Sequence, residues 1–462
     1  MLQAHICQKA RLSRDIRFDG IFFIAVKTTR IYCRPICPAN APLEKNTLYF
    51  AHAIEAANAG YRPCLRCRPD SAPGSPAWQG VHTTLSRAIH LIKQGILQEG
   101  KLADLTLRLG ISDRYLRLLF QKHLGTSPKA YALYQQCLFA KQLLHQTNLP
   151  ITQIALASGF NSIRRFNDYF RTQLQLTPSE IRNLTKKGAP KLQLHLSYRP
   201  PYDWHAMQQF LAARFISQLE WCDENNYGRS FDWHGSTGTF NAEHIEHEHK
   251  FIVIVDVTEL GRLQAIVNNI RRILDLDADM QTIEQNLQQN FPKFIIKSGL
   301  RLPGTWTLFE AGIRAILGQQ ISITAARNLV SQLVDELGES IADKKLFPTP
   351  CAITSSDLSF LKIPTSRKQT LQNLARHYLT SKLDKNNYEQ KYDDPDQWLH
   401  LKGIGPWTIN YAKMRGQSHP DIYLAGDLGV KNAVKELSQP INFDLASPWG
   451  SYFTLQLWSQ LK

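Results

Sequence analysis

The sequence predicts a multidomain α+β protein. Its parts are a small metal-bound α/β module, an all-α module of two helix-turn-helix units, a small β-rich module, and a mainly α module built around a glycine hairpin. Three observations predict this order. Four cysteines fall in two close pairs, Cys33/Cys37 and Cys64/Cys67. Between residues 102 and 178 a short helix, a Gly turn, a polar cap and a second helix occur twice. After Lys191 the apolar pattern becomes strand-like, and from Gly299 it returns to helical spacing around Gly403-Ile404-Gly405. At 462 residues the chain should hold three or four domains, each large enough to bury a core.

Charge narrows the function. The formal net charge is +15, and residues 1–190 carry 26 Lys+Arg against 10 Asp+Glu, net +16, leaving 28 against 29, net −1, for the remainder. An excess confined to one part of the chain points to a polyanion, and with no coenzyme-type motif in view, to nucleic acid. The N-terminus MLQAHICQKARLSRDIRF lacks a signal-type apolar core, and apolar runs such as Phe251 to Val255 are too short to cross a bilayer. No membrane association and a cytoplasmic location are therefore expected. In that compartment clustered cysteines are metal ligands rather than disulfides.

The first module spans residues 1–72. Cys33-x3-Cys37 and Cys64-x2-Cys67, separated by 26 residues, can offer four thiolates to one structural zinc ion, Zn2+. Cys7, Cys137, Cys222 and Cys351 stand singly and read as core or surface thiols. The flanking text, FDGIFFIAVKTTRIYCRPICPAN and AGYRPCLRCRP, resembles the N-terminal domain of the Ada adaptive-response proteins. That resemblance implies that Cys33 accepts a methyl group from a DNA methylphosphotriester while Cys33, Cys37, Cys64 and Cys67 hold zinc. Lys27, Arg30, Arg34, Arg62, Arg66 and Arg68 are placed to hold the phosphate backbone. Four thiolates on zinc carry net −2, and methylating one leaves −1, so methylation lowers repulsion from DNA. A Pro/Gly/Ser linker, SAPGSPAWQG, follows at residues 71–80.

The second module spans residues 81–187. LADLTLRLGISDRYLRLLFQKHLGTSP and ITQIALASGFNSIRRFNDYFRTQLQLTP each read as a helix-turn-helix, capped by Ser112 in the first and by Asn161 or Ser162 in the second. Leu116, Leu119, Phe120, Phe166 and Phe170 lie on the core stripe. Arg114 and Arg117 in one second helix, and Arg164, Arg165 and Asp168 in the other, face the major groove. The pair resembles the DNA-reading domain of AraC-type regulators, which implies promoter sites and RNA polymerase as partners. Gln136 stands where that family usually carries Arg, in a buried position.

The third module spans residues 191–298. LQLHLSY (192–198) and KFIVIVDV (250–257) alternate as strands, with amphipathic helices at 204–216 and 260–274. His244, His247 and His249 read as a solvated strand face rather than a metal site, because no two ligand pairs share a helix.

The fourth module spans residues 299–462. Phe309, Ile313, Ile316, Leu317 and Ile321 form an apolar stripe and are expected in its core. In LKGIGPWTINYAKMRG, Gly403 and Gly405 form a tight turn whose bare backbone can approach a DNA phosphate, with amides of the next helix aimed at it. Asp427 follows about twenty residues on, where a carboxylate can stabilise positive charge building on a deoxyribose. With RPPYDWHAMQQFLAARF, RLPG, ILGQQIS and PWGSYFTLQLW, residues 191–462 resemble the AlkA-type 3-methyladenine DNA glycosylases, of the helix-hairpin-helix superfamily.

That resemblance implies excision of alkylated bases from double-stranded DNA. Lyase-competent relatives carry a lysine just after the hairpin, and Trp407 occupies that position, so hydrolysis without a Schiff base is expected. Asp427 is the catalytic candidate. Trp407, Tyr411 and Trp449 match aromatic base-pocket positions, whose faces favour a cationic base by about 1–2 kcal/mol. Gln320 falls where the residue wedged into the gap left by the flipped base is leucine in a well-known relative. Leu428 replaces a tyrosine and Gly426 a second acid. No cysteine cluster follows Asp427 for an iron-sulfur centre, and no Pro-Cys-His-Arg motif for O6-alkylguanine transfer occurs. The expected protein is thus a DNA alkylation repair enzyme fused to a methyl-sensing transcription regulator. One rival is a regulator whose glycosylase half only clamps DNA; another is a glycosylase whose zinc domain is merely structural.

Overall fold

The computed structural model describes residues 4–14, 18, 21–37, 39, 41–64, 67, 69, 83–183, 192–382, 395–437 and 441–460. Arg66, Arg68, the 71–80 linker and the basic pair Lys186 and Lys187 lie outside them. The architecture is mixed α and β, in two compact units: Met1–Leu194 with Glu259–Asn268, and His195–Thr258 with Asn269–Lys462.

The first unit opens with helix α1 (Ala4–Ser13) and strands β1 (Phe23–Val26), β2 (Ile31–Cys33), β3 (Thr47–Phe50) and β4 (Arg62–Pro63), in sheet order β3-β1-β2-β4. Strand alternation sends β1 residues to both faces of this sheet. Ile24 packs with Cys7 and Ala10 of α1, while Phe23 and Ala25 pack with Tyr32, with Ala56 and Ala57 of α2 (Ala53–Asn58), and with Tyr134 and Leu138. The last two lie on α7 (Pro128–Gln146), so sheet and helical region share one core.

The helical region continues through α3 (Thr83–Lys93), α4 (Ile96–Glu99), α5 (Leu102–Leu109), α6 (Asp113–Leu124), α7, α8 (Ile151–Ala157), α9 (Ile163–Leu174) and α10 (Pro178–Asn183). Both expected helix-turn-helix pairs form, as α5/α6 and α8/α9. Ser112 caps α6 by accepting from the Tyr115 amide, and Ser162, not Asn161, caps α9 by accepting from Arg165. Gln136 is buried on α7, its amide nitrogen 3.0 Å from where a Cβ at Gly159 would sit, and the positive φ of Gly159 (+79°) favours glycine there.

The second unit carries a five-stranded sheet, β5-β9-β8-β7-β6, from β5 (Gln193–Ser197), β6 (Glu220–Cys222), β7 (Asn226–Trp233), β8 (Ser236–Ile245) and β9 (Lys250–Val257). The unit also contains α11 (Trp204–Ala212) and α13 (Met280–Asn290), and α12 (Leu263–Ile273) begins in the first unit and ends in the second. Then come α14 (Leu308–Leu317), α15 (Ile323–Leu337), α16 (Pro350–Ser355), α17 (Thr365–Lys382), α18 (Pro406–Gly416), α19 (Leu428–Glu436) and α20 (Gly450–Trp458). Helix α14 is buried along its length, and Phe309, Ile313, Ile316 and Leu317 join a core with Leu333, Leu371, Trp398 and Ile409. Sheet and helices are tied by a buried charge network: Glu310 of α14 pairs with Arg229 of β7 at 2.9 Å and with Arg314 at 2.9 Å, and Arg314 pairs with Glu220 of β6 at 3.0 Å.

Two expectations are corrected here. Ile321 is 37% exposed, because α14 ends at Leu317 and the stripe stops there. His244 is buried rather than solvated: its Nε2 meets the Tyr198 hydroxyl at 2.8 Å amid Trp204 and Phe251, and burial lowers its pKa to about 4. It lies on the buried face of β8. His247 and His249 follow in an exposed turn.

Candidate functional site

The four thiols converge. Their sulfur atoms all lie within 4.8 Å of one another, with Cys37 and Cys64 at 4.0 Å, which suits a tetrahedral ion whose zinc–sulfur bonds are about 2.3 Å. Strand β2 delivers Cys33, and the parallel pairing of β2 with β4 brings Cys64 beside it. Hydrogen bonding with the neighbouring thiols pushes Cys33 far above the ordinary thiol range and pulls Cys64 far below it. A bare cluster cannot ionise fully, and a divalent cation removes that conflict. Cys64 and Cys67 are buried, while Cys33 and Cys37 are both partly accessible, so exposure alone does not single out one sulfur. Arg34 belongs to the site: its amide donates to Cys67 Sγ and its guanidinium to the Cys67 carbonyl, both at 3.3 Å. The guanidinium of Arg30 lies 5.6 Å from the Tyr61 ring centre.

The two second helices differ in their reading faces. On α6, Arg114, Arg117, Leu118 and Gln121 are exposed along one stripe, opposite buried Leu116, Leu119 and Phe120. On α9, Arg164, Arg165, Asp168 and Arg171 are exposed opposite buried Phe166 and Phe170.

In the second unit the hairpin forms as expected. Gly403 has φ +93°, and a Cβ there would sit 2.1 Å from Thr370 Oγ1, so no other residue fits. Gly405 is extended and begins α18 with no side-chain cap; Pro406 follows at the first helical position. Asp427 caps α19: its Oδ1 accepts from the Val430 amide at 3.1 Å and from Trp458 Nε1 at 2.9 Å, and its Oδ2 from Trp407 Nε1 at 3.3 Å. Among the described residues it forms no ion pair. The Trp407 ring stacks on Tyr411, with centres 5.3 Å apart. One carboxylate is thereby aimed by two indoles beside the glycine turn. Gln320 lies exposed in the turn between α14 and α15 with φ +59°.

The structure does not bring every candidate together. Trp449 is 5% exposed and packs edge-on against Tyr452, at the start of α20. From that helix it is Trp458 that reaches the carboxylate. Sequence reasoning missed Trp458, whose one signal was its place in the PWGSYFTLQLW match. It also missed Phe210 of α11, which stacks on Trp458 at 6.1 Å, and Gln319, which donates to the Gly403 carbonyl at 3.1 Å and to Thr408 Oγ1 at 3.0 Å. Gln319 thus fixes the Gln320 tip to the hairpin. The Arg214 guanidinium lies 3.7 Å over the Phe210 ring, and burial lowers its pKa to about 10, an effect opposed by Tyr411 and Asp427. Arg415 donates to the Tyr411 hydroxyl at 3.1 Å and lies 4.6 Å from the Phe210 ring centre. Aromatic faces, one aimed carboxylate and a bare backbone turn can together receive a planar ring, answer positive charge on its sugar, and grip a neighbouring phosphate.

Three family models match the chain: the metal binding domain of Ada at residues 6–70, a helix-turn-helix domain at 105–184, and the AlkA N-terminal domain at 193–307. A Mycobacterium tuberculosis protein named "Probable bifunctional transcriptional activator/DNA repair enzyme AlkA" is 32% identical over 478 residues, covering 99% of this chain and 96% of its own. The Escherichia coli "DNA-3-methyladenine glycosylase 2" is 29% identical over 272 residues, covering 57% of this chain and 95% of its own. The Escherichia coli "Bifunctional transcriptional activator/DNA repair enzyme Ada" is 38% identical over 175 residues, covering 37% of this chain and 47% of its own.

Proposed function

The chain belongs to the family of bifunctional transcriptional activator/DNA repair enzymes AlkA, and from that premise we propose that it excises alkylated bases from duplex DNA and senses alkylation of the backbone. The observation that carries the enzymatic reading is Asp427, held by Trp407 and Trp458 and in no ion pair among the described residues. As the C1′–N bond of an alkylated purine lengthens, its electron pair leaves with the base and positive charge builds on the sugar. Asp427 stabilises that charge, orients water onto C1′, and takes the proton water releases. The Trp407–Tyr411 stack receives the extruded base, and alkylation eases both extrusion and bond breaking. Gln320 fills the space the base vacates, while the Gly403–Gly405 turn holds the phosphate backbone.

In the first unit, zinc bound by Cys33, Cys37, Cys64 and Cys67 supplies the counter-charge that keeps the thiols ionised. The Cys33 sulfur attacks the methyl carbon of a phosphotriester; an S–C bond forms, the C–O bond breaks, and the phosphodiester leaves. Arg34 lies beside that sulfur cluster to hold the phosphate. With the charge on the cluster reduced, α6 and α9 engage promoter DNA more tightly, and activation proceeds through RNA polymerase. The direct test is release of 3-methyladenine or 7-methylguanine from methylated duplex DNA, with Asp427→Asn as control. Release by wild type and loss in the variant support the reading; no release by wild type reduces the second unit to a DNA clamp. Peptide mass analysis after exposure to methylphosphotriester DNA should place a methyl on Cys33, and its absence would leave the thiol cluster a structural element.

A further inference from the structure

The two reading helices are chemically unlike. In α6 the stripe Arg114, Arg117, Leu118 and Gln121 faces solvent, and its anomaly is apolar: Leu118 is 59% exposed, and Tyr115 beside it 47%. A leucine on the face that enters the major groove has an apolar complement there, the thymine 5-methyl group. One residue earlier, Arg117 is oriented before DNA arrives. Asp113, at the start of the helix, accepts from its Nε at 3.0 Å and from Nη2 at 3.2 Å. That leaves the Nη1 edge of the planar guanidinium turned outward, the fork that matches guanine O6 and N7. The α9 stripe has no exposed aliphatic residue at the corresponding place. Asp168 stands there, 3.9 Å from Arg164 in the reverse order along the helix, an arrangement suited to a cytosine amino group or a phosphate.

We propose that α6 reads a guanine adjacent to a thymine, with Arg117 on the guanine and Leu118 on the thymine methyl. This rests on the chain being a sequence-specific regulator. The test begins with selection of bound sequences from a random duplex pool by the full zinc-loaded chain, followed by titration of the selected duplex. Replacing the thymine by deoxyuridine removes only the methyl group. It should weaken wild type about fourfold, equivalent to about 0.8 kcal/mol for one buried methyl, and leave Leu118→Ala unaffected. 7-Deazaguanine at the neighbouring base should weaken wild type but not Arg117→Ala. Base release from methylated duplex, unchanged in both variants, controls for folding. No enriched sequence would remove the regulator reading and this inference with it. An enriched sequence without a guanine–thymine step, or one whose binding ignores the methyl, would overturn the inference alone and leave Leu118 as a protein-docking residue.

Discussion

Replacing Trp458 by Phe should slow base excision although the indole need not touch the reacting atoms. Asp427 accepts three hydrogen bonds, two at Oδ1 and one at Oδ2. An ionised carboxylate offers about four acceptor positions, so about one remains, on Oδ2, and the Oδ1 bonds decide where it points. The 2.9 Å bond from Trp458 is the shortest of the three and is charge-assisted. Phenylalanine keeps the stack on Phe210 and removes only the donor. A hydrogen bond to a charged group is worth about 1.5–3 kcal/mol. If that sum comes off the transition state, the rate falls about 10- to 150-fold. Single-turnover release of 7-methylguanine with enzyme in excess isolates this step from product release. Trp458→Phe should lose that factor with little change in DNA affinity, and Asp427→Asn should lose more. A rate within twofold of wild type, in a variant that melts normally, would show that the carboxylate does not depend on this indole for its aim.

Four further outcomes are expected. Glu310→Gln strips compensation from buried Arg229 and Arg314 and should destabilise the second unit by about 3–5 kcal/mol in urea unfolding; a change under about 1 kcal/mol would contradict the network's role. Burial raises the Asp275 carboxyl from 3.8 to about 7, so the folded state keeps a proton the unfolded chain has released. The resulting stability is full below the unfolded pKa and is lost as pH rises through about 7. Relative to Asp275→Asn, wild type should lose on the order of 2–3 kcal/mol between about pH 5 and pH 8. Burial lowers His244 to about 4, which works in the opposite sense: its contribution is present above 6.5 and fades as pH falls toward 4. Finally, the chain should bind one zinc per molecule, and Cys64→Ser or a strong chelator should abolish methyl transfer while leaving base release by the second unit intact; equal loss of both activities would refute the division of labour.

Local signals made most of this architecture readable from the chain. The cysteine spacing, the Ser112 cap and the Gly403 turn each specify geometry within a few residues, and each stands where the sequence puts it. What stayed hidden depends on residues far apart in the chain. Trp458 meets Asp427 across 31 residues, and Phe210 meets Trp458 across most of the second unit, so no periodicity announces either contact. Ile321 was misread because a helical stripe carries no mark of its end; Gly318 caps α14 without leaving the right-handed region. His244 was misread because the charged residues around it made its strand look wet on both sides, whereas Tyr198 and Trp204 enclose it.

Tyr32 precedes Cys33, the proposed methyl acceptor, and its ring lies in one core with Tyr134 and Leu138 of α7, the two tyrosine hydroxyls being hydrogen-bonded. Helix α7 is also the shaft that joins the two groove-reading pairs. Damage detector and gene reader are therefore welded by their interiors, beyond their continuity along the backbone. A protease that cut the connecting segment would leave two pieces still docked, and heat should melt them as one body.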